Sequence, residues 1–248
     1  MAKLSFDEAT KPQAEAPEKS LVARPSSTLA VPANYTDSGG FDGEFTNEDR
    51  QTPRLQIVAK TGALSNEFPP GNFVLNKQAD LGKSPLKLVA LRVKKLYQEV
   101  TDIEEGVMGR TFATAEEVRA AGLRVGLPTS KVVGEEAAPI MQILFFLEMP
   151  EGLAPETADH FSCVTPSGIN GALALYTAAR TNYRTVAQPL VTAKDLNKQV
   201  RENGIWSQRW LLTAKLEKYE SFSWWQGHLT PNGKLDQADA DYLKEFAV

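Results

Sequence analysis

The chain has 248 residues, 42% of them hydrophobic and 23% charged, with one cysteine, two histidines and a net charge of −4. That is the balance of an ordinary globular protein with room for a sizeable core, and it excludes a globally basic nucleic-acid binder. Cys163 stands alone, so an intramolecular disulfide is excluded and a His/Cys zinc site is not expected. The longest apolar run, APIMQILFFLEMP, is too short to span a bilayer and carries Glu148. MAKLSFDEATK has no apolar signal core, so the expected location is the cytoplasm, with no membrane partner.

Residues 1–52 read as an extended or disordered tail. ATKPQAEAPEKSLVARPSSTLAVPANYTDSGG shows no sustained period and buries too little to offset its ordering entropy, although Phe41 and Phe45 in GGFDGEFTNED could dock on the body. The folded domain is placed at 53–233. In PRLQIVAK, Leu55, Ile57 and Ala59 alternate with Arg54, Gln56, Val58 and Lys60, which predicts a half-buried strand. PPGNFVLN is a turn leading into a short strand, and PLKLVALRVKKLYQEV predicts a long bent strand from its alternation and β-branched content. TAEEVRAAG reads as a short helix capped by Thr114 and ended by Gly122. GLPTSKVVGEEAA is a loop, PIMQILFFLEMP a strand buried on both faces, and HFSCVTP another short strand.

Two central helices are expected next. SGINGALALYTAARTNY would open at Ser167 with small residues on one face. TAKDLNKQVRENG would start at Thr192, carry Asp195 in its first turn and stop at Gly204. IWSQRWLLTAKLEK and FSWWQGHL, joined at Tyr219–Ser221, read as a β-hairpin. The segment 234–248 closes the chain as an acidic amphipathic stretch, with KLDQADADYLKEF as a short helix. The expected class is α+β around a mainly antiparallel sheet.

No enzyme motif stands out. Nucleotide-binding glycine loops, G-x-S-x-G and H-E-x-x-H are all missing, and Gly168 and Gly171 in GINGALAL lack a phosphate-loop lysine. His160 and His228 read as surface or strand-edge residues and Cys163 as a buried inert thiol. The acids of DIEEG, GEEAA and DQADAD read as solvated surface, with carboxylate-metal hydrolysis as a minor alternative. No catalytic residue, metal or cofactor is assigned.

Aromatic and basic residues interleave in the C-terminal half. On a helix, Tyr176, Arg180, Tyr183 and Arg184 would line one stripe. On the first hairpin strand, Trp206, Gln208, Trp210, Leu212 and Ala214 would face the core, leaving Arg209, Leu211, Thr213 and Lys215 outside. Trp224 and Trp225 are neighbours on a strand, so only one of them can point inward. Single-stranded nucleic acid uses this mixture, because bases stack on aromatic faces while cations follow the phosphates.

The order of features resembles phage single-stranded-DNA-binding proteins of the replication and recombination type. A polar tail leads to TPRLQIVAKTG, PPGNFVLN and PLKLVALRVKKLYQEV, then TAARTNYRT and the hairpin WSQRWLLTAKLEKYESFSWW. The resemblance implies an elaborated OB-like barrel that binds single-stranded DNA without catalysis. The expected contacts are Lys94, Lys95, Arg180, Tyr183, Arg184, Arg209, Lys215, Trp224 and Trp225. It also implies replication or recombination partners recruited by the C-terminal segment. Here Lys234 and Lys244 dilute that segment's charge, and Leu235, Tyr242, Leu243 and Phe246 can pack instead. The competing expectation is a structural or interaction protein whose aromatic hairpin is a homo-oligomer interface.

Overall fold

A computed structural model describes residues 52–83, 85–102 and 109–247. The expected tail, with Phe41 and Phe45, and most of DIEEG lie outside the described residues. The first strand, β1 (Arg54–Ile57), forms where alternation places it, although Leu55 is its one buried position and the next buried residue is Val58, just past its end. A single helical turn, α1 (Leu64–Glu67), precedes the hairpin of β2 (Phe73–Leu75) and β3 (Ala79–Gly82). The long strand β4 (Leu86–Glu99) is interrupted by a bulge between Ala90 and Arg92. A bulge adds one residue and resets the alternation. Leu86, Leu88 and Ala90 therefore share a face with Val93 and Lys95 beyond it.

The strand β5 (Thr111–Phe112) leads to α2 (Ala115–Ala120), where Thr114 Oγ1 accepts the Glu117 N–H as a capping residue should. After β6 (Arg124–Val125), β7 (Glu136–Glu148) runs through the middle of the sheet with both faces buried. A helical turn, α3 (Pro155–Ala158), and β8 (Cys163–Val164) follow.

Residues 167–183 depart from the helical expectation. GALALYTA is a strand, β9 (Asn170–Ala178), set between β7 and β1. Ala172, Ala174, Tyr176 and Ala178 point one way, with Leu173 and Leu175 the other, so a period of two runs beneath the small residues that suggested a helix. Packing overrode propensity: at Gly171 an added Cβ would lie 2.2 Å from the Phe146 ring. The helical layer comes later and starts before Thr192. It comprises a π-helical turn (Tyr183–Ala187), α4 (Gln188–Leu196) and α5 (Lys198–Asn203). Asn197 breaks it in an extended conformation and caps α5 by accepting the Gln199 and Val200 N–H groups, and Gly204 ends it at φ 89°.

A 3-10 turn (Ile205–Ser207) enters the hairpin of β10 (Gln208–Tyr219) and β11 (Phe222–Lys234), and α6 (Gln237–Lys244) closes the described chain. Trp206 belongs to that turn and packs with α6, so it does not share a face with Trp210 as the pleat pattern suggested.

The eleven strands of the described residues join one sheet, ordered β11-β10-β4-β7-β9-β1-β2-β3 along its main path. Pairing is antiparallel except for β1 with β9 and β6 with β7. The fold is α+β, and the sheet curls into a half-barrel. The curl brings distant strands together: a Cβ at Gly227 on β11 would lie 3.2 Å from Ile57 of β1 and 2.9 Å from the Tyr176 hydroxyl. Phe73, Leu88, Phe145, Leu147 and Trp210 fill that concave side beneath Val186, Leu190 and Val200 of the helical layer. Each fully buried large side chain there contributes about 1.5–3 kcal/mol. On the convex side Val89, Leu91, Leu144 and Phe146 are covered by Leu235, Leu243 and Phe246, so α6 is part of a core.

Candidate nucleic-acid interface

The β10–β11 hairpin is attached to the sheet only at its base. β10 pairs with β4 from Arg209↔Val89 to Leu212↔Leu86, and Leu86 is the first residue of β4. From Thr213 to the tip, the hairpin continues as a two-stranded ribbon in register up to Tyr219↔Phe222. Directly opposed residues share a face. One face therefore carries Leu212/Leu229, Ala214/Gly227, Leu216/Trp225 and Lys218/Ser223, and the other Thr213/His228, Lys215/Gln226, Glu217/Trp224 and Tyr219/Phe222.

The first face turns to the body, and Trp225 is the inward tryptophan. Its ring lies against Gly71, where a Cβ would come within 2.6 Å of the indole, and the Lys83 ammonium sits 4.5 Å from the ring centroid. Gly71 also has φ 90°, so glycine is required there twice over. Nearby, Lys60 Nζ donates to Ser223 Oγ. Together these contacts fasten the ribbon to the β1–β2 connection and to the residue that follows β3.

Trp224 lies on the opposite face, half-buried, and its Nε1–H donates to Gln226 Oε1 at 3.0 Å. Gln226 in turn donates to Thr185 Oγ1 (3.0 Å), Thr185 Oγ1–H donates to the Gly227 carbonyl (2.6 Å), and Asn182 Oδ1 accepts the Gly227 N–H (2.8 Å). Side chains of the Arg180–Ala187 region thus satisfy the edge of β11 and hold Trp224 in place. Glu217 and His228 pair at 3.0 Å on the same face. Beyond them the tip presents Tyr219 and Phe222, 66% and 70% exposed, with Lys215 and Lys218 also exposed. The sequence pattern assigns Tyr219 to the turn and singles out neither of these two aromatics as a contact. The signal was there: residues flanking a two-residue hairpin turn oppose each other on one face.

The expected contact residues do not form one patch. Lys215 and Trp224 share the outer face of the ribbon, and Arg184 is exposed beside Thr185, next to the same strand edge. Lys94 and Lys95 are exposed but point to opposite faces of β4, paired with Gln142 and Met141. They lie roughly 25–30 Å along that strand from the point where the ribbon leaves it. Lys95 Nζ sits over the Tyr97 ring at 5.2 Å. Arg180, exposed at φ 53°, lines a separate cleft with Val100, Ser130 and Lys131. Arg209 Nε is engaged by Glu148 Oε1 at 2.6 Å.

With 170–178 a strand, the stripe of Tyr176, Arg180, Tyr183 and Arg184 does not exist. Tyr176 is buried, its hydroxyl pKa pushed up by burial, and Tyr183 packs against the concave core.

The acidic clusters have local partners. Glu135 pairs with Arg124, Asp236 caps α6 through the Ala238 N–H, and Asp241 accepts from Gln237. Asp239 is 1% exposed and accepts the N–H and Oγ–H of Ser167. Burial works to raise its pKa, but these hydrogen bonds, one from Thr165 and the Arg209 charge hold it below the usual carboxylate range. Cys163 Sγ is 3.7 Å from the Tyr242 hydroxyl; burial raises the thiol and pushes Tyr242 up to about 12. Among the described residues no group of three or more His, Cys, Asp or Glu is placed to hold a metal ion, and no helix is long and apolar enough to cross a membrane. No protein-family model matches this chain, and neither a similar curated protein nor a similar solved structure was found.

Proposed function

We propose that the chain binds single-stranded DNA without catalysis, as an OB-like half-barrel whose β10–β11 ribbon is the stacking element. One observation carries this reading: the outer face of the ribbon presents Tyr219, Phe222 and Trp224 in succession, with Lys215 on that face and Lys218 beside the tip. Bases of any sequence stack on aromatic faces, and lysines meet the phosphates between them. Arg184 extends the cationic path along the β11 edge, whereas Lys94, Lys95 and Arg180 would serve only a strand that wraps the body. A role in replication or recombination follows the family resemblance.

The test is a titration of labelled oligothymidine at low and moderate salt, followed by anisotropy and tryptophan quenching. Binding should weaken steeply with salt, because each neutralised phosphate releases counterions. An absence of binding at low salt refutes the reading. A second reading has its own support, because Leu216 is 39% exposed on the other face of a tip already bearing Phe222. In that case the ribbon is an interface between copies, and sedimentation across a dilution series would show self-association that tip substitutions abolish.

A further inference from the structure

A groove of about 670 Å³ opens between α4, α5 and the base of the hairpin, lined by Arg184, Pro189, Leu196, Lys198, Trp210 and Pro231 among others. Its lining contains two cations and no carboxylate. The aliphatic surface of this helical layer is open: Leu196 is 80% exposed and Val191, on the same helix, 48%. Trp210 is fully buried, yet its Nε1–H has no hydrogen-bond partner among the described residues. Buried donors are satisfied in most proteins. An apolar groove rimmed by Arg184 and by Lys198, whose ammonium also lies 4.0 Å from Glu202, suits a peptide that offers apolar side chains and carboxylates. It suits a nucleobase less well, because no exposed aromatic face lines it.

We propose that the occupant is residues 37–49 of this same chain, DSGGFDGEFTNED. That stretch has five carboxylates, Asp37, Asp42, Glu44, Glu48 and Asp49, no Lys or Arg, and two apolar anchors, Phe41 and Phe45. Its charge complements Arg184 and Lys198, and its length is sufficient. Ile57 and Val186 each lie 3.2 Å from the Cβ position of Gly227, and Arg184 is two residues from Val186. The entry at Thr52 is thus at most roughly 35 Å from the groove, and eleven extended residues, the separation of Phe41 from Thr52, span about 36–40 Å. Docking would place acids beside Arg184 and cover the exposed leucine. The proposal does not depend on nucleic-acid binding.

The experiment uses the full chain with Leu196 replaced by photoreactive benzoylphenylalanine, irradiated without nucleic acid and mapped by mass spectrometry. The expected result is an intrachain crosslink from position 196 into 37–49. It should be lost in Phe41→Ala/Phe45→Ala and in Arg184→Glu/Lys198→Glu, with circular dichroism showing each variant folded. Crosslinks that fall only outside 37–49, persist in the double phenylalanine variant, or join two chains would overturn it. So would a crosslink that forms only when oligothymidine or a separate acidic protein is added.

Discussion

Replacing Trp225 by alanine removes a ring that separates the ribbon from the Gly71 turn and lies under Lys83. An indole carries about 150–250 Å² of surface, and a half-buried one hides roughly 100 Å², worth about 2.5 kcal/mol. The lysine contact adds about 0.5–1 kcal/mol, so Trp225→Ala should cost about 3 kcal/mol. Trp224→Ala removes one hydrogen bond, to Gln226, and should cost about 1 kcal/mol. Phe222→Ala, at a site 70% exposed, should leave stability within about 0.5 kcal/mol. The same Phe222→Ala change should weaken oligothymidine binding by about 1–3 kcal/mol, roughly 5–150-fold. Urea unfolding followed by circular dichroism reads the first three effects and anisotropy the fourth. If Trp225→Ala is neutral to stability while Phe222→Ala is costly, the faces of the ribbon have been assigned the wrong way round. If Phe222→Ala leaves affinity unchanged in a protein that does bind, the tip is not the stacking surface.

Gly71→Ala places a Cβ 2.6 Å from the Trp225 ring at a φ of 90°, and should cost about 2–3 kcal/mol. In a Trp225→Ala background the cost should shrink, and strict additivity in the double-mutant cycle would show that the two do not touch. Asp239→Asn should lower stability by about 2 kcal/mol at neutral pH, because the buried carboxylate holds both Ser167 donors. The folded-state pKa of Asp239 lies below the ordinary value, so its contribution is present above the unfolded pKa of about 3.9 and lost as pH falls through the folded value. The gap between parent and variant should therefore close in acid, and a gap that widens instead refutes the assignment. Cys163, raised by burial, should react slowly with iodoacetamide at neutral pH and quickly in urea; equal rates would mean the thiol is open in the folded protein.

Strands whose period stood clear of competing signals were legible from residues alone. The long β4 was read from LKLVALRV, the doubly buried β7 from its unbroken apolar run, and the closing hairpin from alternation around a turn. The cap of α2 and the packing residues of α6 were equally local matters, because a hydroxyl three residues before an N–H and an apolar stripe are properties of the segment itself. GALALYTA failed that reading because alanine and leucine suit a helix as well as a strand. Only its neighbours β7 and β1 decide between them, by supplying hydrogen-bond partners on both edges and Phe146 over Gly171.

The candidate site divides along the same line. Pleat geometry dictates that Trp224 and Trp225 face opposite ways, and that Lys94 and Lys95 do too, since this follows from chain covalency. Which tryptophan is inward depends on Gly71 and Lys83, more than 140 residues away in sequence. The point where the hairpin leaves the sheet depends on where β4 begins, and this sets Tyr219 and Phe222 out in solvent. Local periodicity therefore determined most of the elements and the composition of the aromatic-basic surface. The curl of the sheet and the long-range contacts that come with it alone decided which of those side chains are core, which are fasteners and which are free to meet a ligand.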